Sequence, residues 1–243
     1  DDDSQDGTEQ IVERLRERYS VRLVVRRAER GLSGAVLAGF REAKFDRFVV
    51  LDADLQHPPE MIPQLLARLD QGDCDFVIGT RYGGAGSVAA DWPIARRLGS
   101  AIATLLARPL ARLSDPMSGF FALHRRTWEQ AAPLDPIGYK IALELFVKGR
   151  CRQAAEVPIV FASRAAGASK ASFTEGRRYL QHLWRLYRFR FPRLTEALRI
   201  ALITIAALFI VICACRPASH PDARSTDSTR PSILHVEPTT HEP

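Results

Sequence analysis

Leu51 to Glu60 reads LDADLQHPPE, and its two acids, Asp52 and Asp54, stand two residues apart. If the residues before them form a strand, that spacing turns both carboxylates to the same side. Carboxylates so close repel unless a cation lies between them, and hard divalent cations take oxygen ligands. Mg²⁺ is commonly held by one or two carboxylates together with substrate phosphates. Gln56, two residues on, can add an amide oxygen, so Asp52, Asp54 and Gln56 are the candidate metal ligands. The plainer alternative makes Asp54 a helix cap and Asp52 a loop acid.

The remaining chemistry-bearing groups are mostly basic. Arg81 follows an apolar run in GTRYGG, and Arg96 and Ser100 sit one helical turn apart. Arg164 and Lys170 lie in SRAAGASKAS, and Asp115, Pro116, Ser118 and Gly119 form a turn before GFFAL. A single arginine on a solvated face needs no function. Several at strand ends beside an acid pair describe a site that handles more than one phosphate. The opening DDDSQDGT reads as a strand end feeding a helix capped by Asp6. An acid there commonly bonds a ribose hydroxyl or a base edge, although an acidic helix start is also favoured by the dipole alone.

These groups need a scaffold. Helices are predicted over Asp6 to Tyr19, Leu32 to Ala43 and Pro58 to Leu69, and strands at Arg22 to Arg26, Arg47 to Leu51 and Phe76 to Ile78. Short apolar strands alternating with helices imply an α/β fold, a mostly parallel sheet with helices on both faces. In such sheets the ligand sits at the carboxyl ends of the strands. Further on, Trp92 to Leu113 is helical with a break at Pro109, GFFAL is a strand, Tyr139 to Lys148 a helix and Ala155 to Phe161 a strand. Phe173 to Phe191 reads as an amphipathic helix whose apolar stripe is Phe173, Leu180, Leu183, Trp184, Tyr187 and Phe191. The run IALITIAALFIVICAC, Ile200 to Cys215, carries no charge, and the Pro, Ser, Thr and His-rich residues after it read as a disordered tail. The expected domains are 1–171, a catalytic domain; 172–197, a basic interface helix; 198–215, an apolar membrane segment; and 216–243, the tail.

The chain has 243 residues and a net charge of +6. Between Ala171 and Ile200, seven arginines face two acids, which leaves one net positive charge for everything else. One basic element on a nearly neutral domain points to a membrane surface or a phosphate contact. A nucleic-acid binder would spread Lys and Arg with aromatics over a domain face, so no nucleic-acid partner is expected. Four cysteines show neither metal spacing nor a secreted framework, and reduced thiols are expected.

DDDSQDGT, GLSGAVLAGF, DADLQHPPE, IGTRY, DPMSGFFAL, GYKIALELFVKG and the RxxGxSK of Arg164 to Lys170 occur in a familiar order. From Asp1 to about Phe191 the chain resembles the polyprenol-phosphate mannosyltransferases, the dolichol-phosphate mannose synthase-like members of glycosyltransferase family 2. DADLQHPPE with DPxSGFF is specific to that subgroup. The resemblance implies a GT-A fold, a nucleotide-sugar donor such as GDP-mannose, an Mg²⁺ or Mn²⁺ ion and a polyprenyl or dolichyl monophosphate acceptor. It implies that Asp2 contacts the nucleoside and that Asp52, Asp54 and Gln56 hold the metal. Arg81, Arg96 and Ser100 would then hold the acceptor phosphate, and Arg164 and Lys140 the donor diphosphate. The expected catalytic set is Asp52, Asp54, Arg81 and Asp115. Family members open with a further strand and a Pro-Thr-Tyr-Asn-Glu-like loop, and this sequence starts past them, so a chain lacking the first strand is expected. A membrane-associated enzyme with its catalytic domain toward the cytoplasm follows from the same resemblance. Two alternatives remain, a synthase of glucosyl- or other sugar-phosphate polyprenols and an inactive, membrane-tethered nucleotide-sugar binder.

Overall fold

The structure, a computed structural model, describes residues 1–28, 30–82, 84, 86–88, 94–162 and 173–214; of Val88, Ala95, Arg96, Phe173 and residues 208–214 it describes the backbone alone. In chain order the first elements are α1 (Thr8–Arg16), α2 (Leu32–Glu42), β1 (Arg47–Val50), a 3₁₀ turn (Pro59–Met61), α3 (Ile62–Leu69) and β2 (Phe76–Thr80). Then come β3 (Ser87–Val88), α4 (Ile94–Ala107), β4 (Phe121–His124), α5 (Arg125–Glu129) and α6 (Ile141–Lys148). β5 (Ala154–Pro158), β6 (Val160–Phe161), α7 (Phe173–Arg190) and α8 (Pro192–Ala214) complete the order.

β2 contains no charged residue and is buried at every position. Such a strand has to be covered on both faces, and two core clusters do this. Phe76 and Ile78 face one, with Leu37 and Phe40 of α2, Leu143 and Leu145 of α6, and Leu183 and Leu186 of α7. Val77 faces the other, with Leu65 and Leu69 of α3. The four-stranded sheet has the order β1-β4-β2-β5. β2 and β5 pair in parallel, while β4 runs antiparallel to both β1 and β2. Three strands thus share one direction, as the alternation implies, but the sheet is mixed because β4 lies reversed in its middle. A separate parallel pair joins β3 to β6.

Three local expectations are corrected. Arg22 to Arg26 is not a strand; the Val24 carbonyl and the Arg26 N–H pair with the amino group and carbonyl of Asp1, and the segment is in neither sheet. The α1 cap is Gly7 at φ 89°, and Asp6, one residue earlier, accepts the Thr8 N–H and hydroxyl. The buried face of α7 runs through Tyr179, His182, Leu183, Leu186 and Tyr187, whereas Leu180 and Trp184 are exposed. The tyrosine hydroxyls make this possible, because Tyr179 donates to the Ala103 carbonyl and Tyr187 to that of Leu106, both on α4.

Contacts divide the chain after Ala197. α7 belongs to the first unit. In the second, Ile200, Leu202, Ile203 and Ile205 of α8 are exposed. Among the described residues no helix is long and apolar enough to cross a membrane.

Behind the α6–α7 contact lies a charged group with no exposure at all, Glu144. Its Oε1 takes the Lys148 ammonium at 2.6 Å and the Asp135 N–H at 2.8 Å. Its Oε2 lies 3.2 Å from His182 Nε2, misaligned for a hydrogen bond. Burial pushes the Glu144 carboxyl up, and the contacts from His182 and Lys148 more than reverse this, so it is held below the usual carboxylate range. A depressed carboxyl stabilises fully above its unfolded pKa, near 4.3, and loses that contribution as pH falls through the lower folded value. Lys148→Met should destabilise the chain by about 3 kcal/mol or more, because it strands a buried charge. The Glu144→Gln, Lys148→Met double variant should recover most of this in urea denaturation at pH 7; equal losses in both would show that the pair does not couple.

Candidate active site

Strand ends set the site. β1 stops at Val50, and the turn after it brings the chain back so that the His57 imidazole caps it: the Asp52 N–H donates to His57 Nδ1 at 3.1 Å. Because Nδ1 accepts, the proton of the neutral ring is on Nε2, and the 3.7 Å approach of Nδ1 to an Asp52 oxygen is not an ion pair. His57 is buried between Phe120 and Phe161. Burial holds its pKa below the ordinary value, against the pull of Asp52. The loop is pinned a second way. Gln56 donates its side-chain amide to the Ala162 carbonyl, and Ala162 returns its N–H to the Gln56 carbonyl, each at 3.1 Å. Asp54 accepts the Gln56 N–H at 3.2 Å.

The Asp52 carboxylate points into a gap kept open by a missing side chain. A Cβ on Gly119 would stand 3.3 Å from His57 Cε1 and 3.4 Å from an Asp52 oxygen. A side chain at this turn would press on both groups. Four residues earlier Asp115, fully buried, grips Arg81 in a fork, Nε to Oδ2 at 2.6 Å and an outer nitrogen to Oδ1 at 2.8 Å. The Arg81 N–H adds a third bond to the same carboxylate at 3.2 Å. The guanidinium also lies over the Phe161 and Tyr82 rings. Burial alone would weaken its hold on the proton, but the Asp115 fork outweighs this and raises the pKa.

Beside this pair stands Lys140, its ammonium over the Tyr139 ring and bonded to the Met117 carbonyl at 3.3 Å. Burial, then the Arg81 cation, pulls its pKa down to about 7. The carboxylates of Asp115 and Asp52 act in the opposite sense, which places all four groups in one electrostatic neighbourhood. Asp2 is held at the start of α2, by Arg26 at 2.8 Å and the Gly31 N–H at 2.6 Å. Two residues into that helix, Ser33 donates to the Gly138 carbonyl, so the same helix start braces the loop that carries Lys140. Ser100 bonds the Tyr82 hydroxyl at 2.9 Å, tying α4 to the loop after β2.

Asp52, Asp115, Arg81 and Lys140 are therefore brought together, with Asp54 and Gln56 on the adjoining turn. Arg164, Lys170 and the Arg96 side chain lie outside the described residues. The observed work of Gln56 is to pin the loop to Ala162. Sequence reasoning assigned no role to His57, although it stands inside DADLQHPPE; a lone histidine followed by two prolines after an acid pair is the available signal. It also missed Thr80 and Ser114, whose hydroxyls meet at 2.6 Å, and Glu156, which anchors Ser114. Among the described residues no three His, Cys, Asp or Glu side chains form a metal cage. Two carboxylates on one turn, Asp52 and Asp54, suit a hard cation whose remaining ligands are phosphate oxygens and water.

The family model for glycosyl transferase family 2 matches residues 1–130. Among curated relatives, the dolichol-phosphate mannosyltransferase of Mycosarcoma maydis is 46% identical over 86% of this chain and 72% of its own length. That of Saccharomyces cerevisiae is 46% identical over 88% and 81%, and that of Pyrococcus furiosus 44% identical over 78% and 54%. Among solved structures, glucosyl-3-phosphoglycerate synthase from Mycobacterium tuberculosis with Mn²⁺, UDP-glucose and glycerol 3-phosphate superposes at a TM-score of 0.53. It is 19% identical and the match covers 77% of this chain and 66% of that one. The chain belongs to glycosyltransferase family 2. It has the GT-A fold of that family and is a glycosyltransferase.

The Arg81–Asp115 fork makes a claim on stability as well as chemistry. Asp115→Asn leaves a buried guanidinium half-matched, and unfolding should become easier by about 3 kcal/mol. Arg81→Lys cannot restore two parallel bonds, and its melting temperature should fall with that of Asp115→Asn. Wild-type melting in both variants would mean that the pair serves ligands alone.

Proposed function

We propose that this chain transfers a mannosyl group from GDP-mannose to dolichyl or another polyprenyl monophosphate, inverting the anomeric centre, at the cytoplasmic face of a membrane. One juxtaposition carries the reading: an anion-handling site adjoins an apolar groove. The groove, about 350 Å³, lies between α4 and α7 and is lined by Gly99, Ile102, Ala103, Leu106, Tyr179 and Leu180, among others. Gly99 precedes Ser100, which is bonded to Tyr82, which follows Arg81. A phosphate with a hydrocarbon tail has this shape and polarity. The names of the fungal and archaeal relatives support the same acceptor and sugar.

The charges indicate the mechanism. A phosphate monoester is already anionic near neutral pH, with a second pKa near 6. No strong general base is required, and His57, neutral with Nδ1 engaged, is not placed to be one. The chain's task is to hold two anions within reach of each other. Asp115 fixes the orientation of Arg81, which supplies positive potential at the end of β2. Lys140, close to half-protonated at pH 7, gains its proton when a phosphate arrives beside it. Asp2 faces the nucleoside from the start of α2. Asp52 and Asp54 would hold a divalent cation, Mg²⁺ or Mn²⁺, which when bound neutralises charge on the leaving diphosphate. The Mn²⁺ in the structural neighbour supports a divalent ion here.

Membrane attachment rests on exposed apolar surface. Ile94, Leu98, Ile102 and Leu105 follow one face of α4, and Leu180 and Trp184 stand out from α7. The arginines of α7 add attraction to anionic headgroups, about 1 kcal/mol each near the surface. Deleting α7 is no test, since Leu183 and Leu186 belong to the core. Leu98→Asp with Leu105→Asp should instead reduce flotation with anionic vesicles several-fold without lowering the melting temperature; unchanged flotation would locate attachment elsewhere.

Turnover tests the chemistry. With a polyprenyl phosphate and a panel of GDP- and UDP-sugars, GDP-mannose should be the preferred donor. Asp52→Asn or Asp54→Asn should lower kcat about a hundredfold or more, the scale of a lost charge-stabilising group, with an unchanged far-UV spectrum. Near-normal turnover in both would overturn the metal assignment, and preference for another donor would overturn the sugar.

A further inference from the structure

At the end of the sheet away from the catalytic residues lies a second, polar cleft of about 650 Å³, lined by Asp75, Arg126, Thr127, Gln130, Gly149, Arg150 and Arg152. Asp75 precedes β2 and Arg152 precedes β5, so the cleft sits at the amino ends of the parallel strands, whereas Arg81 follows the carboxyl end of β2. Five residues of strand separate the two by roughly 16 Å. Nothing in the proposed transfer reaction uses these arginines.

The cleft has a fixed frame. A Cβ on Gly149 would stand 2.5 Å from the Leu145 carbonyl oxygen and 3.2 Å from that of Thr127, so the end of α6 is set tightly against α5. The Cys151 N–H returns to the Phe146 carbonyl, and the Ala132 N–H bonds that of Lys148. On the other wall Asp75 accepts the Arg152 N–H and donates its own to the Gln153 carbonyl, each at 3.1 Å. Within this frame Arg150 has φ 54°. A residue just past a helix in that left-handed region is usually glycine, and an L side chain there is disfavoured. An arginine at that position costs the backbone something, as residues held at binding sites often do.

We propose that this cleft binds a small phosphomonoester. Arg126, Arg150 and Arg152 bring three guanidinium groups to it, and none lies within ion-pair distance of a carboxylate among the described residues. Asp75 supplies the single opposing charge, so the net charge of the lining matches a phosphate dianion. Guanidinium forks suit phosphate oxygens in pairs. The volume falls within the range of small-ligand sites and exceeds what a bare phosphate fills. Asp75 and Gln130 are placed to meet hydroxyls of the attached organic group.

The test titrates the full chain with glycerol 2-phosphate by calorimetry and compares two variants. The expected result is a saturable site that Arg150→Gly and Arg126→Gln each weaken roughly ten- to a hundredfold, the scale of one lost charge-assisted bond. Arg150→Gly removes the left-handed side chain, so its melting temperature should hold or rise, which separates lost binding from misfolding. Mannosyl transfer without added phosphomonoester should be unchanged in both, so failure here and failure of the transferase reading are told apart. No saturable binding up to about 10 mM, or equal affinity in wild type and both variants, would overturn the proposal.

Discussion

The buried fork between Arg81 and Asp115 is the constraint on which the site depends. It joins the loop after β2 to the turn before β4, two segments 34 residues apart in the chain. That turn carries Gly119, whose missing side chain leaves room for the Asp52 carboxylate, and the Met117 carbonyl that receives Lys140. A cation and an anion withdrawn from water together are tolerable only when their bonds are nearly complete, and three bonds to one carboxylate meet that condition. The fork therefore fixes distances among groups that would otherwise move independently. It also keeps a permanent positive charge beside Lys140, which adds to the larger effect of burial in bringing the pKa of that amine down to about 7.

The same loop links the polar chemistry to the apolar surface. Tyr82, adjacent to Arg81, reaches Ser100 on α4, and the next turns of α4 line the groove against α7. α7 is held in turn by Tyr179 and Tyr187, whose hydroxyls bond α4 carbonyls, and by the buried Glu144 beneath His182. The helix thus combines a core face and an exposed apolar edge. Its polar side chains do not mark its solvent side.

This explains what could be read from the residues and what could not. DADLQHPPE was legible because an apolar strand ending in two acids has few physical meanings. The reach of α2, β1, β2 and α6 followed from period and punctuation, to within a residue or two, whereas the helix expected from Pro58 opens as a 3₁₀ turn and becomes α-helical only at Ile62. The α7 stripe was misread because Tyr179 and Tyr187 turn their rings to the core while their hydroxyls find carbonyl partners on α4, and His182 is buried against Glu144, none of which periodicity records. The partner of Arg81 was illegible for the same reason: Asp115 is a neighbour only after folding. Arg22 to Arg26 has a strand's composition, but pairing, not composition, makes a strand. The direction of GFFAL was undetermined, since its alternation is the same read either way.

That reversed strand has a consequence for how the protein comes to be folded. β1 and β2 are successive strands in the sequence yet are not neighbours in the sheet, because β4 lies between them. A ribosome releases both well before Phe121 to His124 emerges, and until then each presents an unpaired edge rich in Phe, Val and Ile. Pairing them directly would be a non-native shortcut that the later strand must undo. Assembly of the sheet therefore waits on long-range closure, the slow kind of contact in folding. For that interval the nascent chain is most exposed to misassembly.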